Sequence, residues 1–139
     1  MDSLGLLVQQ HRDIKNLVNK LRTLSLEEKL ADRERAKEVR KNLSLLVGKL
    51  KVHIKHEDDF LYPSLLESKN KDVRRISKKF IDEIGDFSKV LEKFNKKYLR
   101  HSVITENPDD FITDLTGVLT KLEQRIEKED NKLYPLVNK

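Results

Sequence analysis

The chain has no cysteine and no tryptophan, and only four glycines and three prolines in 139 residues. Without cysteine there is no disulfide framework, no thiolate zinc site, no cysteine-held iron–sulfur cluster and no thiol nucleophile. So few glycines and prolines leave little material for the tight turns of an all-β protein. No run of about 18 apolar residues occurs, so no membrane-spanning helix is expected. The opening stretch, MDSLGLLVQQHRD, lacks the basic start and long apolar core of a secretory signal, and a cytoplasmic protein is the expectation. A glycine-rich phosphate loop, a serine-centred nucleophile elbow, a Cys/His finger and a basic groove interleaved with aromatics are all missing. Specific nucleic-acid recognition is therefore not expected.

What is present is charge and pattern. Lys and Arg number 29 against 24 Asp and Glu, giving a net charge of +5. The two signs are interspersed, as on solvated helix faces. The length suits a single domain over residues 1–139, with room for a sizeable core.

Apolar residues recur at alternating steps of three and four in four segments. The first runs Leu4, Leu7, His11, Ile14, Val18, Leu21. The second runs Val39, Leu43, Leu46, Leu50, His53, Glu57, Phe60. The third runs Ile76, Phe80, Ile84, Phe87, Leu91, Phe94, Tyr98. The fourth runs Phe111, Leu115, Val118, Leu122, Arg125, Glu129, with Leu133 a turn further on. Helix-boundary chemistry separates them. Ser25 with Glu28 fits a capping box. Asn107-Pro108-Asp109-Asp110 reads as N-cap, N1 proline and an acidic first turn. Glu67 to Asp72 is a polar connector, and Pro63 and Pro135 should bend or end their helices. The fold class expected is all-α: an antiparallel up-down-up-down four-helix bundle. Helices of roughly 20–30 residues would be about 30–45 Å long.

The second and fourth segments end alike. HIKHEDDFLYP (53–63) and RIEKEDNKLYP (125–135) share six of eleven residues: Ile54/Ile126, Glu57/Glu129, Asp58/Asp130, Leu61/Leu133, Tyr62/Tyr134 and Pro63/Pro135. The first and third segments align more weakly. The chain reads as two helix pairs, with His11, His53, Phe87 and Arg125 forming one layer and Glu57 and Glu129 lying a turn further along.

His11, His53, Glu57, Arg125 and Glu129 thus sit on core-facing stripes where apolar residues belong. A buried carboxylate is costly unless it is paired or binds a cation. His53 and Glu57, four apart, share a helix face, and imidazole with carboxylate chelates divalent metals well. Two readings follow. One is a metal site on His11, His53, Glu57 and Glu129. The other is a metal-free ion network in which Arg125 lies between Glu57 and Glu129 and the histidines are hydrogen-bond partners.

The pattern resembles the hemerythrin-like (HHE cation-binding) family over essentially the whole chain. The resemblance implies a four-helix bundle around a non-haem di-iron centre, with a His on the first helix, His-x-x-x-Glu before Tyr-Pro on the second, a His on the third and His-x-x-x-Glu on the fourth. His11, His53 with Glu57, and Glu129 match those positions. Phe87 stands in place of the third-helix His and Arg125 in place of the fourth-helix His. Where some members carry a further third-helix His, this chain has Glu83. The resemblance therefore implies a degenerate site with one iron rather than two, held by His11, His53, Glu57 and Glu129, with manganese or zinc as other fits. Arg125 would point into the vacated half and neutralise the carboxylates. One ion cannot share the two-electron reduction of dioxygen, so an oxygen carrier is not expected. Gas sensing through O2 or NO, redox sensing, or iron handling is; no substrate pocket or partner motif makes the chain an oxygenase, and the sequence leans against an enzyme without deciding it. A metal-free structural or interaction module is the alternative, and a basic adaptor on an acidic partner the third reading. Among the remaining residues, His56 should face outward and His101 should favour a helix C-terminus. Glu83 should be exposed or lysine-paired, Tyr62 and Tyr134 should pack the bundle end, and Phe87 should fill the space of the lost imidazole.

Overall fold

The computed structural model describes residues 3–138, and the four stripes lie on its four long helices. In chain order the elements are α1 (Ser3–Leu24), α2 (Glu27–Leu30), α3 (Arg33–His56), α4 (Tyr62–Leu66), α5 (Lys71–Lys97), α6 (His101–Glu106) and α7 (Pro108–Lys128). A π-helical turn, Glu57–Leu61, joins α3 to α4 without a break. A second, Glu129–Leu133, follows α7 and leads into a 3-10 turn, Tyr134–Asn138. The protein is all-α, with no strand among the described residues. No helix is long and apolar enough to cross a membrane.

The capping chemistry differs in part from the sequence reading. Ser25 is not a cap, and its buried hydroxyl has no hydrogen-bond partner. Leu26 precedes the short α2, and the long helix α3 starts only at Asp32, whose carboxylate accepts from Arg35 N. The extended backbone that an N-cap needs falls at Asp32, φ −75° and ψ 125°, so the cap forms there. Asn70, within the expected connector, caps α5 through Asp72 N and Val73 N. Pro108 does open α7, but the Asn107 side chain donates back to Val103 O instead of capping forward. His101 begins α6 rather than closing α5, so it lies at a helix start and not at a C-terminus.

The π turns change which residues face inward. Phe60 is 52% exposed, whereas Leu61 and Tyr62 are buried. A π turn holds one residue more than an α turn, so the inward position after Glu57 moves on to Leu61. Pro63 does not end its helix. It opens α4 at the π-to-α junction, where a missing backbone donor costs least.

The interior divides into two apolar clusters. The larger contains Ile14, Val18, Leu46, Leu50, Ile84, Phe87, Leu122 and Ile126 among others. The smaller contains Leu7, Leu61, Tyr62, Phe80, Leu133 and Tyr134. On three of the four long helices, α1, α3 and α7 with their π turns, the polar stripe positions fall at the changeover: His11 between Leu7 and Ile14, His53 between Leu50 and Leu61, Arg125 and Glu129 between Leu122 and Leu133. Burying each Leu or Phe side chain contributes about 1.5–3 kcal/mol. The apolar clusters on either side thus hold a layer of charged groups that would not stay buried alone.

Candidate metal centre

Three of the long helices, with the π turns that follow two of them, supply this layer, and α5 supplies none of its four candidate ligands. His11 comes from α1, His53 from the last turn of α3, and Glu57 and Glu129 each open a π turn. All four are buried, with exposures of 2, 3, 0 and 1% in that order. One donor atom from each lies within 4.8 Å of the others. His11 Nε2 is 2.8 Å from Glu129 Oε1. His53 Nε2 is 3.2 Å from the same oxygen and 3.4 Å from Glu57 Oε2. The two Nε2 atoms are 3.1 Å apart.

The outer nitrogen of each imidazole is tied to an acceptor. His11 Nδ1 donates to Asp130 Oδ1 at 2.7 Å, and His53 Nδ1 donates to Gln10 Oε1 at 2.8 Å. With the proton on Nδ1, a neutral ring turns its Nε2 lone pair into the cluster, and an imidazolium would donate from Nε2 instead. Fixing the tautomer by such an outer partner is how proteins orient metal-binding imidazoles. The Gln10 amide continues outward, donating through Nε2 to His56 Nδ1 at 2.7 Å. His56 is therefore half-buried and engaged, not turned outward.

Arg125 lies beside this cluster. Its Nε donates to Glu129 Oε2 at 2.7 Å, its Nη1 to Phe80 O at 3.0 Å and its Nη2 to Tyr62 OH at 2.8 Å. The guanidinium carbon is 4.8 Å from the centre of the Phe80 ring. Arg125 pairs with Glu129 but does not bridge to Glu57, as the metal-free network required. Glu83 is half-buried with one oxygen 3.9 Å from Arg125 Nη1, so its partner is an arginine rather than a lysine. Phe87 is buried, as expected, and with Arg125 lines a groove of about 250 Å³ between α5 and α7.

Tyr62 and Tyr134 do more than pack. Tyr134 OH donates to Glu57 Oε2 at 3.0 Å and lies 3.1 Å from His11 Nε2. Burial raises the pKa of both phenols, and the nearby carboxylates add to it.

The same surroundings split the acids and bases. Burial alone would lower the pKa of His53, but its hydrogen bonds to Glu129 and Glu57, and their charges, outweigh it and push it up to about 9. Burial pushes Glu57 up to about 7, helped by the Glu129 charge and opposed by His53. Burial works against the Glu129 anion too, yet hydrogen bonds from His11 and His53 and the Arg125 charge hold it well below the carboxylate range. Glu57 Oε1 is buried without any hydrogen-bond partner.

All four expected metal residues thus come together. Gln10, Asp130 and the Tyr134 hydroxyl are the parts that the sequence reading missed. The repeat marks Asp130 and Tyr134, because both recur in the two halves, but their counterparts differ in role: Asp58 is exposed and Tyr62 faces Arg125. Gln10 carries no such signal beyond its place next to His11.

The family model of the hemerythrin HHE cation-binding domain matches residues 2–137. No curated protein and no solved structure matches the chain.

Proposed function

The chain belongs to the hemerythrin HHE cation-binding family, and from that premise we propose that it binds a single iron ion through His11, His53, Glu57 and Glu129. The arrangement that suits this is one domain over residues 1–139, an antiparallel up-down-up-down four-helix bundle with its site in the interior, in the cytoplasm. The observation that carries the reading is Glu57 Oε1, a buried carboxylate oxygen with no partner. It belongs to a group in which two imidazole lone pairs converge. Leaving such an oxygen unsatisfied costs about 1–3 kcal/mol or more, and a cation among these donors removes that cost.

Two nitrogens and carboxylate oxygens suit Fe(II) or Mn(II), and zinc accepts the same set. One ion rather than two is favoured by Arg125, whose guanidinium already takes Glu129 Oε2. The cluster of two carboxylates and one arginine carries one net negative charge, and a divalent ion reverses its sign.

When bound, iron supplies an electron-transfer centre with positions open to a small ligand such as O2 or NO. The chain's own residues do the rest. Asp130 and Gln10 orient the imidazoles, Arg125 balances charge, and the apolar clusters exclude water. This supports gas or redox sensing, or iron handling, rather than reversible oxygen carriage, which draws on two irons.

The second reading is a metal-free structural or interaction module. It is favoured by the raised proton affinity of His53, which lets a proton take the place of the ion between imidazole and carboxylates. Elemental analysis after anaerobic loading with Fe(II) and desalting separates the two. One iron per chain is expected. Two would overturn the single-ion site, and none, with an unchanged melting temperature, would make the module the answer.

A further inference from the structure

The repeat supplies Leu-Tyr-Pro twice, and its two phenols meet opposite surroundings. In one half the Tyr62 oxygen accepts from the Arg125 guanidinium at 2.8 Å, so this phenol faces a cation. In the other half the Tyr134 oxygen lies 3.0 Å from Glu57 Oε2, 3.1 Å from His11 Nε2 and 3.3 Å from Glu129 Oε1. Three electron-pair donors converge on one hydroxyl, which has one proton to give. The Tyr134 ring is buried and stacks on His11, centroids 5.2 Å apart and 13° between planes, which fixes where the oxygen points. The residue that matches Arg125 in the repeat is His53, whose Nε2 lies on Glu129 Oε1 and Glu57 Oε2. The guanidinium that the Tyr62 oxygen faces therefore has no counterpart at Tyr134.

We propose that the Tyr134 phenolic oxygen is a fifth donor to the iron, bound as phenolate in the ferric state. This rests on the metal reading above. As the oxygen binds the ion, its proton leaves to solvent and no electron moves. Without the ion the phenol stays protonated and hydrogen-bonded to Glu57. Tyr62 cannot act in the same way, because its oxygen is held on Arg125.

Ferric phenolates absorb visible light by charge transfer, whereas iron held only by imidazole and carboxylate lacks that band. The full chain is loaded anaerobically with Fe(II), desalted and oxidised with ferricyanide. Iron per chain and the visible spectrum are then measured together. A visible band is expected in the wild type and in Tyr62→Phe, and its loss is expected in Tyr134→Phe at equal iron content. Bound iron without the band, a band that survives Tyr134→Phe, or one that disappears in Tyr62→Phe would overturn the Tyr134 assignment and leave the four-residue site standing. No iron in the wild type would overturn both. Should Tyr134→Phe not fold, resonance-enhanced phenolate vibrations in the wild type and in Tyr62→Phe decide the same question.

Discussion

His11 and His53 face each other through their Nε2 atoms, 3.1 Å apart, while their Nδ1 atoms are committed to Asp130 and Gln10. Two neutral rings so oriented set lone pair against lone pair. The pair is at rest only when a proton or a metal ion lies between them and the carboxylates.

His53→Ala removes one lone pair and the group that links Gln10 to the carboxylates. Iron per chain should fall, and so should the rise in melting temperature that iron gives the wild type. A ligand at 100 times its Kd stabilises the native state by about 2.7 kcal/mol. Thermal melts with and without Fe(II) read that gain directly, and an undiminished gain in the variant would remove His53 from the site.

Asp130→Asn keeps the shape of the side chain but weakens the acceptor that fixes the His11 tautomer. Loss of such an outer partner lowers metal affinity by about 10–100-fold. Competition with a chelator of known affinity measures it. Helical content by circular dichroism should stay unchanged, because Asp130 is half-exposed.

Arg125→Ala leaves Glu129 without its guanidinium and uncovers Phe80 O. Breaking a buried ion pair from one side costs about 3–5 kcal/mol. Denaturant unfolding of the metal-free protein should show a loss of that size. An Arg125→Ala protein as stable as wild type would mean that the pair adds nothing to the fold.

The metal-free protein should become less stable as pH rises from about 5 to about 9. His53, raised to about 9, contributes stability that is complete below its ordinary 6.5 and is lost as pH climbs through 9. Glu57, raised to about 7, acts in the same direction, complete below 4.5 and lost through 7. Glu129, lowered, contributes fully above 4.5 and loses its share only in acid. The His53 part amounts to about 3 kcal/mol at 1.36 kcal/mol per pK unit. Metal competes with these same protons, so the gain from added Fe(II) should grow across the window in which the metal-free protein weakens. Melting temperatures across this range, with chelator and with metal, should diverge. Parallel curves would sever the link.

The all-α class was legible because stripes of Leu, Ile, Val and Phe at steps of three and four need only local geometry. The four polar residues were legible for the same reason: a His or Glu on an apolar stripe stands out. Phe60 shows where counting fails. Its place in the stripe assumes an unbroken α turn, and the extra residue of the π turn sends it to solvent. Asp130 and Gln10 lie just off the inward line and look like ordinary surface residues until the neighbouring helix is in place. The Tyr134 hydroxyl was hidden because an aromatic before proline at a helix end reads as packing, and only the tertiary structure shows where its oxygen points. Arg125 was read correctly as a charge near Glu129, but its bonds to Tyr62 and Phe80 O depend on helices that the stripe alone does not align.

Both carboxylates of the cluster open π turns, Glu57–Leu61 and Glu129–Leu133. A π turn is an α-helix with one residue to spare. Each residue of an α-helix turns it by about 100°, and five residues of a π turn carry the chain round by nearly the same angle as four of an α turn. Deleting the spare residue between Glu129 and Tyr134, and letting the helix close up as α, would therefore leave the tyrosine on the face of Glu129. The address of the phenol is thus buffered by the extra residue: a single lost codon inside the turn is absorbed, whereas one in the middle of α7 would swing the residues that follow it in that helix, Arg125 included, by about 100°.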